Sequence, residues 1–321
     1  KIDVRDGDTI WGMEEFSVQK PITRNYIYEF IFHKLLSYSN LISLKYFFIN
    51  LSMNDTAQGI YAVEEGFSKE LIERNKKRNG PIFGLEEDRG TVFPFVRHDL
   101  YSSQYWISNY PDLTSTALSK LNLLKDNEIQ LNEIFDLEKW ATFFAIIDLT
   151  SSVHGSISKS VKLFYNPVTS KFEPIGFDAH YQPGLFENFL IIDFLDLNNK
   201  NCNYICYDRE WYFKFLKNND GSLNYEFIDL YLNKLKEISS KVYIKGFTNK
   251  YSEEIDYYNS QLLSEKSKTD KMFYKGLGDY IFDKNYINKK SDYINSRLKK
   301  INLKENLEAN LNNGEIIFNN S

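Results

Sequence analysis

Two aspartates, Asp148 and Asp178, close the two arms of a helix–loop–hairpin pattern that runs from Phe135 to Gly184. Asp148 ends the apolar run FFAIID, and Asp178 ends KFEPIGFD. Between them lie His154, in a polar loop, and the segments VKLFY and KFEPIGF around the turn Asn166-Pro167-Val168-Thr169-Ser170. Asn and Pro nucleate such turns, and the aromatic and β-branched flanks suit paired strands. A hairpin of this kind folds the chain back and can bring both carboxylates to one cleft, which is the layout of a metal–phosphate site. A plainer reading also fits: Asp148 ends a helix, Asp178 sits in a turn, and His154 is a hydrogen-bonding loop residue.

Other residue types narrow the field. With 39 basic and 44 acidic side chains the net charge is −5, which argues against a duplex-binding surface and its basic stripe. Cys202 and Cys206 stand in CNYIC, a spacing that lacks the second pair or nearby His of a zinc site, so they read as buried or surface thiols. No apolar run reaches the length of a membrane span. A chain of 321 residues with 42% hydrophobic side chains is large enough to bury a core without disulfide staples. It starts without Met in what reads as mid-strand, KIDVRD, as a fragment of a longer protein would, so a lost leader is compatible with it.

The elements that must position the candidate residues follow from periodicity. Residues 1–19 predict two strands. A helix is predicted from Thr23 to Ser37, with Thr23 as cap and Ile27, Phe30, Ile31 and Leu35 as its apolar stripe. Arg24 and Glu29 fall in that helix and read first as surface charges. LKYFFINLSM and GIYAVEE predict an antiparallel hairpin through Asn54-Asp55. Phe67–Asn75 reads as a short helix, GPIF as a strand leading into an acidic loop, and residues 114–125 and 137–149 as helices. Beyond Gly184 the pattern is helical: 210–216, 225–238, 251–266 and 279–301, with a turn at Asn218-Asn219-Asp220-Gly221. GLGDY at Gly276 lacks the strand–turn–helix context of a dinucleotide motif. NNGEIIFNN near the C-terminus resembles a rung of a β-rich repeat or a linker.

Three blocks carry a family resemblance: FSVQKPITRNYIYEFIFHKLL; YFFINLSMNDTAQGIYAVEE with FSKELIERNKKRNGPIF; and FFAIIDL, HG, LFYNPVTSKFEPI and FD in that order. Over roughly residues 1–184 the chain resembles the CotH kinase family of atypical protein kinases. The resemblance implies an α+β, kinase-like fold with a small antiparallel-sheet N-lobe (about 1–112) and a mainly helical C-lobe (about 113–302). Residues 303–321 would be a linker or the start of a β-rich domain. It implies ATP- and Mg2+- (or Mn2+-) dependent phosphotransfer to Ser or Thr of a surface or secreted protein, outside the cytoplasm.

By position, the resemblance makes Asp148 the residue that orients the acceptor hydroxyl, with His154 second to it, and Asp178 the metal ligand. Glu65 falls on the family glutamate and Arg24 near a family arginine, both as nucleotide-facing residues. Two departures qualify this. Gly84 stands where relatives tend to carry a basic residue, so a phosphate-facing cation must come from elsewhere, with Arg5 and Arg78 as candidates. Ser160 stands where relatives usually have Asn, a better ligand for a second metal than a hydroxyl. A catalytically degenerate pseudokinase that serves as a binding or scaffold module is therefore the alternative, and a different ATP-using transferase is a third reading.

Overall fold

The computed structural model describes residues 1–85, 98–179, 186–198, 200–269 and 284–301. The acidic residues after Leu85, the GLGDY segment and the tail 303–321 lie outside these. β1 (Ile2–Asp3) pairs antiparallel with β2 (Glu15–Gln19), and β2 with the inner strand of the hairpin β3 (Tyr46–Met53) and β4 (Thr56–Glu65). The hairpin turns at Asn54 and Asp55, both with positive φ, the backbone that matches the right-handed twist of paired strands. The first sheet has the order β1-β2-β4-β3.

A 3-10 turn, Pro21–Arg24, and α1 (Tyr28–Tyr38) lie between β2 and β3. The predicted helix start at Thr23 is corrected here. Asn25 and Tyr26 both take left-handed backbone (φ 51 and 60), which separates the turn from α1. Thr23 bonds Lys20 O rather than capping α1, and Arg24 is thereby aimed independently of the helix.

After α2 (Lys69–Arg74) come β5 (Ile82–Leu85), β6 (His98–Leu100), α3 (Ser103–Asn109), α4 (Pro111–Lys125), α5 (Leu131–Ile134) and α6 (Leu137–Thr150). The hairpin β7 (Lys162–Asn166) and β8 (Lys171–Ile175) joins β5 and β6 in a second antiparallel sheet, order β6-β5-β7-β8. The remainder is helical: α7 (Arg209–Leu216), α8 (Tyr225–Ile238), α9 (Lys241–Thr269) and α10 (Lys284–Lys300). Two small antiparallel sheets within a mainly helical chain make the fold α+β.

α6 is the central element. Every residue from Trp140 to Thr150 is buried, as expected of a helix that is apolar all round. It packs against α8, α1 and α10. Its N-terminus is capped by Asp136, whose carboxylate accepts from Lys139 N, and Trp140 Nε1 donates to Phe172 O, tying α6 to β8. One apolar cluster runs from Tyr26 to Ile294, and the second sheet takes strands from both sides of residue 112. The lobe boundary expected there thus cuts through a sheet.

Cys202 and Cys206 form a disulfide, with Cα atoms 5.2 Å apart, within the 3-10 stretch Lys200–Asp208. The expectation of two thiols is corrected: the tight turn brings positions four apart within bonding reach. Among the described residues no helix is long and apolar enough to cross a membrane.

Candidate functional site

Asp178 follows β8 with left-handed backbone (φ 57), and its side chain is 22% exposed. Arg24 reaches it from the 3-10 turn before α1 at 2.8 Å and is itself 17% exposed. Burial works against the charge on Arg24, but Asp178, Glu64 and Glu29 outweigh it and hold its pKa above the ordinary value. Phe177 lies beside the pair. The Arg24 guanidinium sits 5.7 Å from its ring centroid and the Lys162 ammonium 5.3 Å, so two cations meet on one aromatic ring next to one carboxylate.

His154 joins this group from a 3-10 turn, Val153–Ser156. Its Nδ1 lies 2.9 Å from Asp178 O, a pure acceptor, so Nδ1 donates and the lone pair of the neutral ring is on Nε2. The Asp178 carboxylate is 3.6 Å from the same nitrogen, and Ser160 Oγ is 3.5 Å from it. The close approach depends on Gly155: a Cβ there would lie 2.4 Å from that of Ala179. Ser160 is buried, so its hydroxyl faces His154 rather than open solvent.

Lys162 stands directly opposite Gly84 in the β5–β7 register. A side chain at position 84 would approach the Lys162 stem at 3.7 Å. A lysine thus lies across the strand pair from position 84, where the resemblance implied a cation. Its ammonium also donates to Lys159 O at 2.8 Å. Arg5 is exposed in the turn after the edge strand β1, and Arg78 is exposed beyond α2.

Glu64, not Glu65, faces this group. The two are adjacent in β4 and point to opposite faces of the sheet. Glu65 is buried against Arg74 and accepts from Lys45 N at 2.7 Å, so it fastens β4 to α2 and the start of β3. Glu64 turns the other way. It accepts from Gln19 Nε2 at 3.2 Å, and burial together with Glu29 pushes its carboxyl up to about 8, against the opposing pull of Arg24. Glu29, on α1, is fully buried and accepts from Ala179 N at 3.2 Å, so the expectation of a surface charge is corrected.

Asp148 is held elsewhere. It is fully buried, accepts from Ile191 N at 3.0 Å and from the Tyr231 hydroxyl, and faces the Lys290 ammonium. Burial raises its carboxyl to about 7 and lowers Lys290 to about 8, each partly offset by the other's charge. A residue enclosed in this way does not meet an acceptor hydroxyl. The expected catalytic role for Asp148 meets no solvent-facing carboxylate: its helix is buried on every side, so the last turn of α6 has no solvent face.

The structure thus brings together Arg24, His154, Ser160 and Asp178 from the sequence-derived set, and leaves Arg5, Glu65 and Asp148 apart. It adds Glu29, His33, Glu64 and Lys162. Their signals were present: Glu29 and His33 at helical i,i+4 spacing, Glu64 on the face of β4 opposite that of Glu65, and Lys162 at the head of the hairpin. No family model matches the chain, and no curated protein matches it.

Proposed function

We propose that this chain is an ATP-dependent phosphotransferase of the CotH kinase type, acting on Ser or Thr hydroxyls of a surface or secreted protein. The observation that carries the reading is the meeting of Arg24 and Lys162 on Phe177 beside the part-exposed Asp178. Phosphoryl transfer rests on positioning and charge neutralisation, and this set offers two cations for phosphate oxygens and a hard oxygen ligand for Mg2+ or Mn2+. The residues fit such a cation: Asp178 presents a part-exposed carboxylate beside the two side-chain cations. A divalent cation, when bound, supplies charge neutralisation at the phosphates.

In this reading Arg24 and Lys162 hold the phosphates, and Asp178 is the metal ligand. His154, fixed by its Nδ1–H bond to Asp178 O, accepts the acceptor hydroxyl's proton late at Nε2. Ser160 is placed to steady His154. The Cys202–Cys206 disulfide supports an oxidising, extracytoplasmic setting.

The enclosure of Asp148 favours a second reading, a pseudokinase that binds nucleotide without transferring phosphate. One experiment separates the two. Thermal unfolding with ATP and Mg2+ or Mn2+ reports binding, and mass analysis of a Ser/Thr-containing protein substrate reports transfer. Stabilisation with a phosphate added to substrate supports the kinase reading, and stabilisation alone the pseudokinase. No stabilisation overturns both.

A further inference from the structure

Behind the Arg24–Asp178 pair lies a second group: Glu29 and His33 from one face of α1 and Glu64 from β4, all buried. One donor atom from each falls within 4.8 Å of the others. Tyr46, opposite Glu64 in the β3–β4 register, stacks on the His33 ring at 6.1 Å and closes that side. Three atoms in this group have no hydrogen-bond partner: Glu29 Oε2, Glu64 Oε1 and His33 Nε2.

Burying a carboxylate with an unmet oxygen is costly, and two facing each other cost more. The guanidinium that faces both, that of Arg24, is already bonded to Asp178 at 2.8 Å. The remaining bonds to the two carboxylates come from neutral donors, Ala179 N and Gln19 Nε2. The group is built to receive positive charge.

His33 fixes the kind of site. Its Nδ1 lies 3.3 Å from Leu44 N and can only accept there, so the ring proton is on Nε2, 3.4 Å from Glu29 Oε1. His33 therefore turns its Nε2–H toward Glu29 Oε1 without completing a hydrogen bond, and leaves the oxygens as ligands. Oxygen-only ligation selects the hard divalent cations.

We propose that Glu29 and Glu64 hold a buried divalent cation of the Mg2+ or Mn2+ class, with His33 as the residue that positions Glu29. The ion would join α1 to β4 immediately beneath Arg24 and Asp178, setting the depth at which that pair stands. The proposal does not depend on phosphotransfer, and its test contains no nucleotide.

The test is titration of the whole chain with Mn2+, read by the loss of the free-ion electron paramagnetic resonance signal. Wild-type protein and Asp178→Asn are expected to retain one Mn2+. Glu64→Gln and Glu29→Gln, each checked for native circular dichroism, are expected to lose it. His33→Phe is expected to weaken Mn2+ binding about tenfold, the scale of a residue that orients a ligand. A wild-type chain that leaves all Mn2+ free overturns the proposal and assigns the charge deficit to a proton. Asp178→Asn releasing the ion as fully as Glu64→Gln also overturns it, because the ion then belongs with Asp178. Should the Gln variants not fold, elemental analysis of metal-exchanged wild type and Asp178→Asn decides the same question.

Discussion

Arg24 bonds Asp178 at 2.8 Å and thereby joins the turn before α1 to the residue that follows the β7–β8 hairpin. The pair is part-exposed, so its strength lies between that of a surface bridge and a buried one. Arg24→Ala should cost about 1–3 kcal/mol on that scale. Arg24→Lys should not rescue fully, because a point charge does not reproduce a guanidinium bound to a carboxylate over an aromatic face. Urea unfolding of the three proteins measures both effects, and full rescue by Lys would show that only net charge matters here.

The two aspartates should separate cleanly under mutation. Asp148→Ala leaves the Tyr231 hydroxyl and Ile191 N–H without their buried acceptor, while Lys290 keeps its three carbonyl partners, and should cost about 1–3 kcal/mol for each donor left unmet. Asp178→Ala should cost far less and should remove Mg2+-dependent stabilisation by ATP. Thermal unfolding with and without Mg2+–ATP reads both. A stable Asp148→Ala chain with normal nucleotide binding would return Asp148 to the list of functional candidates.

Glu64 and Glu65 give a second paired test. Glu65→Gln breaks the part-buried pair with Arg74 and should destabilise by about 1–3 kcal/mol. Glu64→Gln removes a carboxylate whose charge burial disfavours, and without metal should leave stability unchanged or higher. Denaturant midpoints in chelator-treated buffer compare the two. The reverse ranking would mean that β4 presents the other face to the site.

Asp208 predicts a pH dependence. It is buried and accepts from both the amide and the hydroxyl of Ser158, and burial raises its carboxyl from the usual range to about 7. Between 3.8 and about 7 the folded chain binds this proton while the unfolded chain has released it. Asp208 therefore contributes a fall in stability as pH rises through that window, and nothing further above it. Asp208→Asn should reduce the slope of stability against pH there. An identical slope in the mutant would assign the pH dependence to other groups.

Much of the fold was legible because the elements that matter are strongly patterned. The β7–β8 hairpin, with its NPVTS turn, and the amphipathic stripe of α8 stand within a residue or two of where periodicity puts them. The site was less legible, and for identifiable reasons. The break at Asn25 and Tyr26 depends on two non-glycine residues in left-handed backbone, a choice that tertiary contacts make. Choosing Glu64 over Glu65 requires knowing which face of β4 is turned to α1, and adjacent glutamates hide that. Asp148 marks the end of an apolar helix in either reading, and only the arrival of Tyr231 and Lys290 from far along the chain decides between them. Lys162 comes to face position 84 through strand pairing, which linear spacing does not express.

The second sheet also sets a schedule for folding. β5 gains its inner partner β7 only after the whole α3–α6 helical stretch has been made. During synthesis the apolar segment Ile82–Leu85 therefore leaves the ribosome with its pairing edge toward β7 unmet, for as long as the chain takes to reach Asn166. A piece ending near residue 112 would keep that edge permanently, as a template for pairing with other chains. Lys162 and Asp178 would be missing from the same piece, so a chain cut there has neither a closed sheet nor a site.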